Sequence, residues 1–136
     1  MAFVIKAEVR DPSAETFDFH SQKTMYGGKY VAAGDTVFVF SIETQGGQGL
    51  LARGVVTSAQ AVPKEPGVAR QTPRVSIELR RTAVAKRTLG RRELSGFTDW
   101  GAPTPETELN FKLYRQATNK IVGVSDRASA FLETFF

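Results

Sequence analysis

Apolar and polar residues alternate at the start of the chain. In the segment AFVIKAEV, one side contains Phe3, Ile5, Ala7 and Val9, and the other contains Val4, Lys6 and Glu8. Strict alternation is typical of a strand with one buried face and one solvated face. The sequence therefore predicts a half-buried first strand.

The clearest pattern in the first half of the chain is a hairpin. The segment from Arg10 to Asp35 has weak periodicity and many turn residues, which predicts irregular structure with a short helical turn after Pro12. A continuous apolar run then extends from Val37 to Phe40, the segment TQGGQG interrupts it, and LLARGVVTSA resumes it. Two strands around a short glycine-bearing connection indicate an antiparallel hairpin over residues 37–56.

The second half of the chain predicts a loop, a strand and then irregular structure. Residues 61–73 contain three prolines and indicate an exposed loop. RVSIELRRTAV alternates, so the side chains of Val75, Ile77 and Leu79 are expected to face inward. The segment from Gly90 to Glu108 predicts irregular structure with a short strand near Phe97. LNFKLYRQ predicts a short apolar segment, and residues 121–124 predict a strand.

The end of the chain predicts a helix. Ser125 is a favourable N-cap, and Asp126 favours the positive end of a helix. The apolar positions that follow have the spacing of one helical face: Ala128, Phe131, Leu132 and Phe135. Together the elements predict an α+β fold, a small mixed β-barrel of five to six strands with flanking helices, one of them C-terminal.

Composition narrows the classes of function. A chain of 136 residues, 41% of them apolar, suits a single domain over residues 1–136. Cysteine is absent and His20 is the sole histidine, so thiolate and multi-histidine metal sites are excluded, and we predict neither metal nor cofactor. The N-terminus lacks the apolar core of a signal peptide, and no run reaches the roughly 20 apolar residues of a membrane span. A cytoplasmic protein without a membrane partner is therefore expected.

Positive charge is concentrated in one segment. The net charge is +4, and residues 79–92 hold six of the 18 lysines and arginines and no acid. Such a cluster favours a polyanionic partner, and its alternative explanation is a solvated strand edge. The candidates for phosphate contacts are Arg80, Arg81, Arg87, Arg91 and Arg92, together with Arg53 on the returning strand of the hairpin.

The glycine-rich connection of the hairpin does not match a phosphate-binding loop. A P-loop needs GxxxxGK[ST] between a strand and a helix. Here Gly46, Gly47 and Gly49 precede a β-like segment, and no Lys-Ser pair follows. We expect these glycines to supply positive φ angles for a turn.

The hairpin and the C-terminal tail resemble a known family. The residues that carry the likeness are Gly34-Asp35, Phe40-Ser41, Gly49, Gly54-Val55-Val56 and the tail NFKLYRQATNKIVGVSDRASAFLETFF. They are similar to EVE domains of the PUA-like superfamily, which are related to YTH and ASCH domains. This resemblance implies a PUA-like barrel that binds nucleic acid, DNA or RNA, and holds a modified or unpaired base in an aromatic and polar pocket beside a basic rim.

The resemblance and the residue types together suggest a set of pocket residues. The candidates for base contacts are Phe19, His20, Ser21, Tyr26, Phe40, Ser41, Trp100, Arg115 and Gln116. Each also has a structural explanation. Ser41 interrupts an apolar strand, either as a pocket donor or as a hydroxyl bonded to backbone. Trp100 either stacks on a base or belongs to the core, and Arg115 either reads a base edge or pairs with an acid.

Two other functions remain open at this level. ASCH domains include hydrolases that use Lys, Tyr and Glu, so the resemblance leaves a small hydrolase of nucleic-acid or acylated nucleoside substrates as the alternative, with Lys23, Tyr26 and Lys29 as candidates. The third hypothesis is a subunit whose barrel face and aromatic tail bind another protein.

Overall fold

Six strands close into a mixed β-barrel. The computed structural model describes residues 1–116 and 119–136, without the side chains of Gln45 and Gln116. The strands are β1 (Ala2–Ala7), β2 (Thr16–Met25), β3 (Thr36–Ser41), β4 (Gly49–Ala61), β5 (Arg74–Val84) and β6 (Lys120–Gly123). Their order around the barrel is β1-β3-β4-β5-β2-β6. The β1–β3 and β2–β6 pairs are parallel and the others antiparallel, which confirms the predicted mixed barrel.

The predicted hairpin is confirmed. Strands β3 and β4 pair antiparallel, with Val37 opposite Gly54 and Ser41 opposite Gly49. A single 3-10 turn, Glu43–Gln45, lies between them, and no helix follows the glycines. Residues 37–40 are fully buried on both strand faces, as their continuous apolar pattern predicts.

Alternate residues of the barrel wall belong to two different cores. The barrel interior contains Phe3, Ile5, Val37, Val39, Ile77 and Leu79. The outer core, between the barrel and the helices, contains Val4, Phe38, Phe40, Leu109, Leu113 and Leu132. A wall covered on both sides explains why β1 and β3 have few exposed positions.

The prediction of a half-buried β1 is wrong. Val4 is fully buried, and Lys6 is only 4% exposed, although both lie on the side expected to face solvent. The helices of the second half of the chain cover this side, so its residues contact protein rather than water. The alternating pattern of β1 does not reveal that cover, because the cover is distant in sequence.

The segment expected to be irregular contains β2, the ten-residue strand Thr16–Met25. Its pattern is weak because a bulge interrupts the pairing with β5 between Phe19 and Gln22, and Ser21 there has a φ of 51°. A bulge shifts the alternation of side chains by one residue, so the period of two is lost. Beyond Pro12 the chain forms a turn rather than a helix.

The segment from Gly90 to Glu108 is more helical than predicted. It contains α1 (Arg91–Leu94) and the start of α2 (Pro105–Asn110), and there is no strand at Phe97. The Thr104 hydroxyl accepts a hydrogen bond from the Thr107 amide, and Pro105 begins the helix. This cap and proline are a recognisable helix start. A π-helix, Phe111–Gln116, continues α2 through the segment predicted to be merely apolar.

The predicted C-terminal helix is confirmed as α3 (Asp126–Glu133). The Ser125 hydroxyl accepts a hydrogen bond from the Ala128 amide at 3.1 Å. Leu132 and Phe135 are buried against the barrel, and Phe131 is partly buried. None of the helices in the described ranges is long and apolar enough to cross a membrane.

Candidate functional site

A cavity of about 450 Å³ opens beside Ser41, and we call it the Ser41 cavity. Ser41 ends β3 and is 8% exposed. The cavity lies between the glycine turn of the β3–β4 hairpin and the segment that follows β5. Its lining residues are Pro12, Ser41, Gly46, Gly47, Gln48, Gly49, Leu50, Leu51, Val84, Ala85, Lys86, Arg87 and Thr88.

Glycine at two positions allows the turn to pack closely beside this cavity. A Cβ atom on Gly47 would lie 2.2 Å from the Ser41 Oγ atom, which no real side chain tolerates. A Cβ atom on Gly49 would lie 2.3 Å from the Leu89 carbonyl oxygen, and Gly49 has a φ of +83°. The turn glycines therefore bring backbone close to Ser41 and to the segment after β5, rather than holding a phosphate loop.

The Ser41 cavity is positively charged. Lys86 and Arg87 line it, and none of its described lining residues is acidic or aromatic. The Arg87 guanidinium donates a hydrogen bond to the Thr134 carbonyl at 2.9 Å and lies 4.3 Å from the Phe135 ring centroid. These contacts hold a cation at the edge of a cavity whose walls include Leu50 and Leu51.

Two more of the predicted phosphate contacts lie next to this cavity. Arg91 and Arg92 line a depression of about 230 Å³. This depression, which we call the Arg92 depression, shares Gln48 and Thr88 with the Ser41 cavity. The structure therefore groups Ser41, Arg87, Arg91 and Arg92 on one surface.

The other three candidate arginines do not line the Ser41 cavity. Arg53 forms an ion pair with Glu133 and lies 5.4 Å from the Phe136 ring centroid. Arg81 donates a hydrogen bond to the Ser13 carbonyl at 3.0 Å. Arg80 is exposed on β5.

Trp100 lines a different cavity of about 590 Å³, which we call the Trp100 cavity. Its lining residues are Trp100, Ala102, Pro103, Thr104, Thr107, Glu108, Phe111, Lys112, Ser125, Asp126 and Arg127. The Trp100 ring is 39% exposed and tilts against Phe111 at 5.3 Å between centroids. The Arg115 guanidinium lies 5.0 Å from the Trp100 ring centroid. Trp100 and Arg115 are thus neighbours, but neither lines the Ser41 cavity.

Hydrogen bonds within the Trp100 cavity fix its charged groups. The Glu108 carboxylate accepts hydrogen bonds from the Ser125 amide at 2.8 Å, from the Ser125 hydroxyl and from the Lys112 ammonium at 3.1 Å. Burial alone would raise the pKa of the Glu108 carboxyl, but these bonds outweigh it and hold the pKa below its ordinary value.

The remaining candidates for base contacts whose side chains the structure describes do not line the Ser41 cavity. Phe40 is fully buried in the outer core, and Phe19 is 6% exposed in the barrel interior. His20 is exposed on β2, and the Ser21 amide donates to the Ser76 hydroxyl at 2.9 Å. The Tyr26 ring lies 4.7 Å from the Lys112 ammonium. The Gln116 side chain lies outside the described residues. A base-contact role for these residues stays a prediction.

A smaller cavity, of about 90 Å³, contains charged residues that the sequence did not single out. Its lining residues are Lys6, Ile42, Glu43, Thr44, Arg91 and Tyr114, and we call it the Lys6 cavity. The Tyr114 hydroxyl donates to Glu43 Oε1 at 2.8 Å, and the Lys6 ammonium lies 4.3 Å from the Tyr114 ring centroid. The one signal in the sequence for this cavity is Lys6, a lysine inside an apolar strand. No local pattern marks Tyr114 as a neighbour of Lys6.

Electrostatics in the Lys6 cavity differ from those of ordinary surface side chains. Burial, and then the nearby positive charge of Arg91, lower the pKa of Lys6. Burial and the hydrogen bond to Glu43 raise the pKa of Tyr114, so its hydroxyl keeps its proton at neutral pH. No group of three or more metal-ligating side chains was found in the described ranges of the chain.

Neither protein-family models nor curated proteins match this sequence. Solved structures do match its fold. The DUF55 domain of human thymocyte nuclear protein 1 superposes with a TM-score of 0.65 at 13% identity, over 98% of this chain and 97% of that one. Human THYN1 protein in complex with 5-methylcytosine-containing DNA gives a TM-score of 0.67 at 13% identity, over 98% and 95% of the two chains.

A bacterial structure agrees with these two. A protein from Pseudomonas syringae covers 100% of both chains with a TM-score of 0.61 at 13% identity. At such identity the likeness concerns the fold, which is shared from end to end. The chain therefore has the fold of the DUF55 domain, a small PUA-like barrel, which is the fold that the resemblance of its hairpin and tail implied.

Proposed function

We propose that this protein binds nucleic acid and holds a modified or unpaired base in the Ser41 cavity. The observation that carries the proposal is a cavity of about 450 Å³ with a serine in its wall, two cations at its edge and no acid among its described lining residues. Cavities of about 300–1,000 Å³ suit small ligands. A basic edge attracts the phosphates that accompany a base.

The chemistry of the cavity walls fits a base held by apolar contact and polar readout. Leu50, Leu51 and Val84 offer apolar surface to the faces of the ring. The Arg87 guanidinium is planar, and arginine planes stack on unpaired bases. The Ser41 hydroxyl both donates and accepts hydrogen bonds, so it can read a base edge. In this arrangement stacking comes from aliphatic and guanidinium groups rather than from Trp100.

The comparison with THYN1 supports the same proposal. That protein, which has this fold, was solved in complex with DNA containing 5-methylcytosine. A base reaches a cavity of this kind only when it leaves the duplex stack, which costs a few kcal/mol and less for unpaired bases. We therefore expect this protein to bind single strands or mismatched sites more tightly than an unmodified matched duplex.

Fluorescence anisotropy with labelled oligonucleotides tests this function. The set comprises single strands, mismatched duplexes and matched duplexes, each with cytosine or 5-methylcytosine at one central position. The cavity is blocked by Val84→Trp, because Val84 lines it and is 49% exposed. Val68→Trp is the matched control, since Val68 is 42% exposed in the loop after β4.

Val84→Trp should weaken binding about 10- to 100-fold, because the base can no longer enter the cavity and its stacking contribution is lost. Val68→Trp should bind like the wild-type protein. Equal affinity of the two variants for every oligonucleotide would show that no base enters the Ser41 cavity.

A further inference from the structure

The Lys6 side chain is buried, and its ammonium lines the Lys6 cavity without an acceptor from the described residues. Lys6 is 4% exposed, and within the described part of the chain its ammonium makes no hydrogen bond or ion pair. Its recorded contact is with the Tyr114 ring at 4.3 Å. An ammonium group has three donors and is costly to bury unless a partner satisfies them. This geometry indicates that a group from outside the chain completes the site.

Glu43 holds the site together, and its charge offsets only part of the positive charge around Lys6. One Glu43 oxygen accepts the Tyr114 hydroxyl at 2.8 Å, and the other accepts the Arg91 backbone amide at 2.8 Å. The carboxylate thereby ties the turn after β3 to α1 and to the π-helix. With both oxygens engaged, it acts as a positioning group for the cavity walls.

Two cations line the cavity and contact the same ring. The Arg91 guanidinium lies 5.0 Å from the centroid of the same Tyr114 ring that Lys6 contacts. Lys6, Arg91 and Glu43 together carry one net positive charge, and Arg91 already disfavours protonation of Lys6. An anion in the cavity that contacts both cations relieves this repulsion and supplies acceptors to both. At about 90 Å³ the cavity has room for several water-sized groups, and therefore for a phosphate group.

The Lys6 cavity lies beside the proposed base site. Ser41 lines one cavity, and the three residues that follow it line the other, so the two are separated by the chain itself. Ser41 and Glu43 are two residues apart, at most about 7 Å between Cα atoms. The Arg92 depression shares Glu43 and Arg91 with the Lys6 cavity, and Gln48 and Thr88 with the Ser41 cavity. A continuous surface therefore connects them.

We propose that the Lys6 cavity is a phosphate site, at which Lys6 and Arg91 bind the phosphate adjacent to the nucleotide whose base enters the Ser41 cavity. This inference rests on the proposed function, and it assigns the ligand class of a second, separate site. The phosphate oxygens accept hydrogen bonds from the Lys6 ammonium and the Arg91 guanidinium. The pair of sites then selects a nucleotide by its base and by the position of its phosphate together.

A double-mutant cycle between protein and oligonucleotide tests this site. The protein variants are Lys6→Met, which keeps a buried unbranched side chain, and Arg91→Gln, which changes an exposed residue. Lys64→Met, in the exposed loop after β4, is the control. The oligonucleotide is the best-binding single strand, with one phosphate at a time replaced by an uncharged methylphosphonate.

On the unmodified strand, Lys6→Met and Arg91→Gln should each lower affinity about tenfold or more, as expected for a hydrogen bond to a charged group. Each should also flatten the salt dependence by about 0.7 in log–log slope. On a strand with the methylphosphonate beside the preferred nucleotide, the same variants should bind like the wild-type protein. Methylphosphonates elsewhere should leave the variant effect intact.

The outcomes separate this inference from the proposed function. If the wild-type protein binds the strands and Lys6→Met and Arg91→Gln bind equally well, the phosphate site is overturned and the base site stands. If no strand binds, the proposed function fails; titration of a nucleoside 5′-monophosphate and of inorganic phosphate, followed by ³¹P NMR, then decides the phosphate site alone. If the protein binds a monophosphate and Lys6→Met abolishes that binding, the Lys6 cavity binds a terminal phosphate. If neither the monophosphate nor inorganic phosphate binds, the phosphate site is overturned. Thermal melting shows whether Lys6→Met is folded. If it is not, Arg91→Gln, which changes an exposed residue, tests the phosphate site instead.

Discussion

The Ser41 cavity and the Trp100 cavity are similar in size but differ in charge and in internal bonding. The Ser41 cavity combines Lys86 and Arg87 with no acid among its described lining residues. The Trp100 cavity balances Lys112 and Arg127 with Glu108 and Asp126. By charge alone, a polyanion is expected to favour the first cavity over the second. The tryptophan, the more conspicuous residue in the sequence, lines the cavity whose charges are balanced.

Internal bonding strengthens this contrast. In the Trp100 cavity, Glu108 is occupied by Ser125 and Lys112, and the Arg127 guanidinium donates to the Pro103 carbonyl. These bonds join α2 to the start of α3 and serve the stability of the fold. Arg87 of the Ser41 cavity also donates to a backbone carbonyl, that of Thr134, but no carboxylate among the described lining residues pairs with the cations there. The glycine turn and the segment after β5 are held by backbone hydrogen bonds.

The largest expected effect is that of Trp100→Ala, which should lower stability without weakening binding. Trp100→Ala removes the ring that packs on Phe111 and beneath Arg115. It should lower the free energy of unfolding by roughly 2 kcal/mol, because the ring is partly buried. Affinity for oligonucleotides should be unchanged once the protein is folded. Chemical denaturation and anisotropy on the same preparation check both, and a folded variant with weakened binding would return Trp100 to the nucleic-acid site.

The next effect tests the charge of the Ser41 cavity. Arg87→Gln should lower affinity about tenfold and flatten the salt dependence by about 0.7–0.9 in slope, since the cation that stacks on the base and neutralises the neighbouring phosphate is lost. Arg127→Gln is the matched control, because both guanidinium groups donate to a backbone carbonyl near an end of α3. Anisotropy titrations at several salt concentrations measure the slopes. Equal slopes for the two variants would remove Arg87 from the phosphate contacts.

A smaller effect tests base readout by Ser41. Ser41→Ala should cost about 0.5–1.5 kcal/mol of binding, roughly 2- to 10-fold, because one hydrogen bond is lost. The loss should be greater for the preferred base than for the other bases, which distinguishes readout of an edge from general packing. Competition with oligonucleotides that differ at a single base measures the difference. A uniform loss over all bases would mean that the hydroxyl supports the wall rather than the ligand.

The smallest effect concerns pH in the Trp100 cavity. The pKa of Glu108 in the folded protein lies below its ordinary value of 4.5, so ionised Glu108 stabilises the fold above that value. This contribution disappears as the pH falls through the lower, folded pKa. Glu108→Gln should therefore melt a few degrees below the wild-type protein at pH 7, and the difference should shrink in acid. A constant difference from pH 7 to pH 3 would contradict the assigned hydrogen bonds.

Much of the fold was predictable because its signals are local. The hairpin of β3 and β4 follows from two apolar runs around glycines, and α3 follows from Ser125 and the helical spacing behind it. Six strands were within the predicted number, yet one expected strand, near Phe97, is absent and β2 was missed. The bulge at Ser21 erased the alternation of β2, whereas Thr104 and Pro105 mark the start of α2 locally.

The candidate site was predictable only in part. Ser41 and the basic segment were both identified from the sequence, and the structure places Ser41 and Arg87 around one cavity. The sequence did not separate Trp100 from that cavity. It also did not mark Glu43 or Tyr114 as neighbours of Lys6, because these residues meet through the barrel closure rather than through any local pattern.

By itself, the sequence determined the periodic elements, the hairpin connection and the excess of positive charge, since each depends on neighbouring residues. Only the tertiary structure decided which polar groups share a cavity and which strand faces are covered. Lys6 shows the reason: the alternation of β1 predicted a solvated side chain, but Tyr114 on a π-helix distant in sequence packs against Lys6, and the ammonium lines the Lys6 cavity. Burial of a side chain depends on long-range packing, which the local period of a strand does not encode.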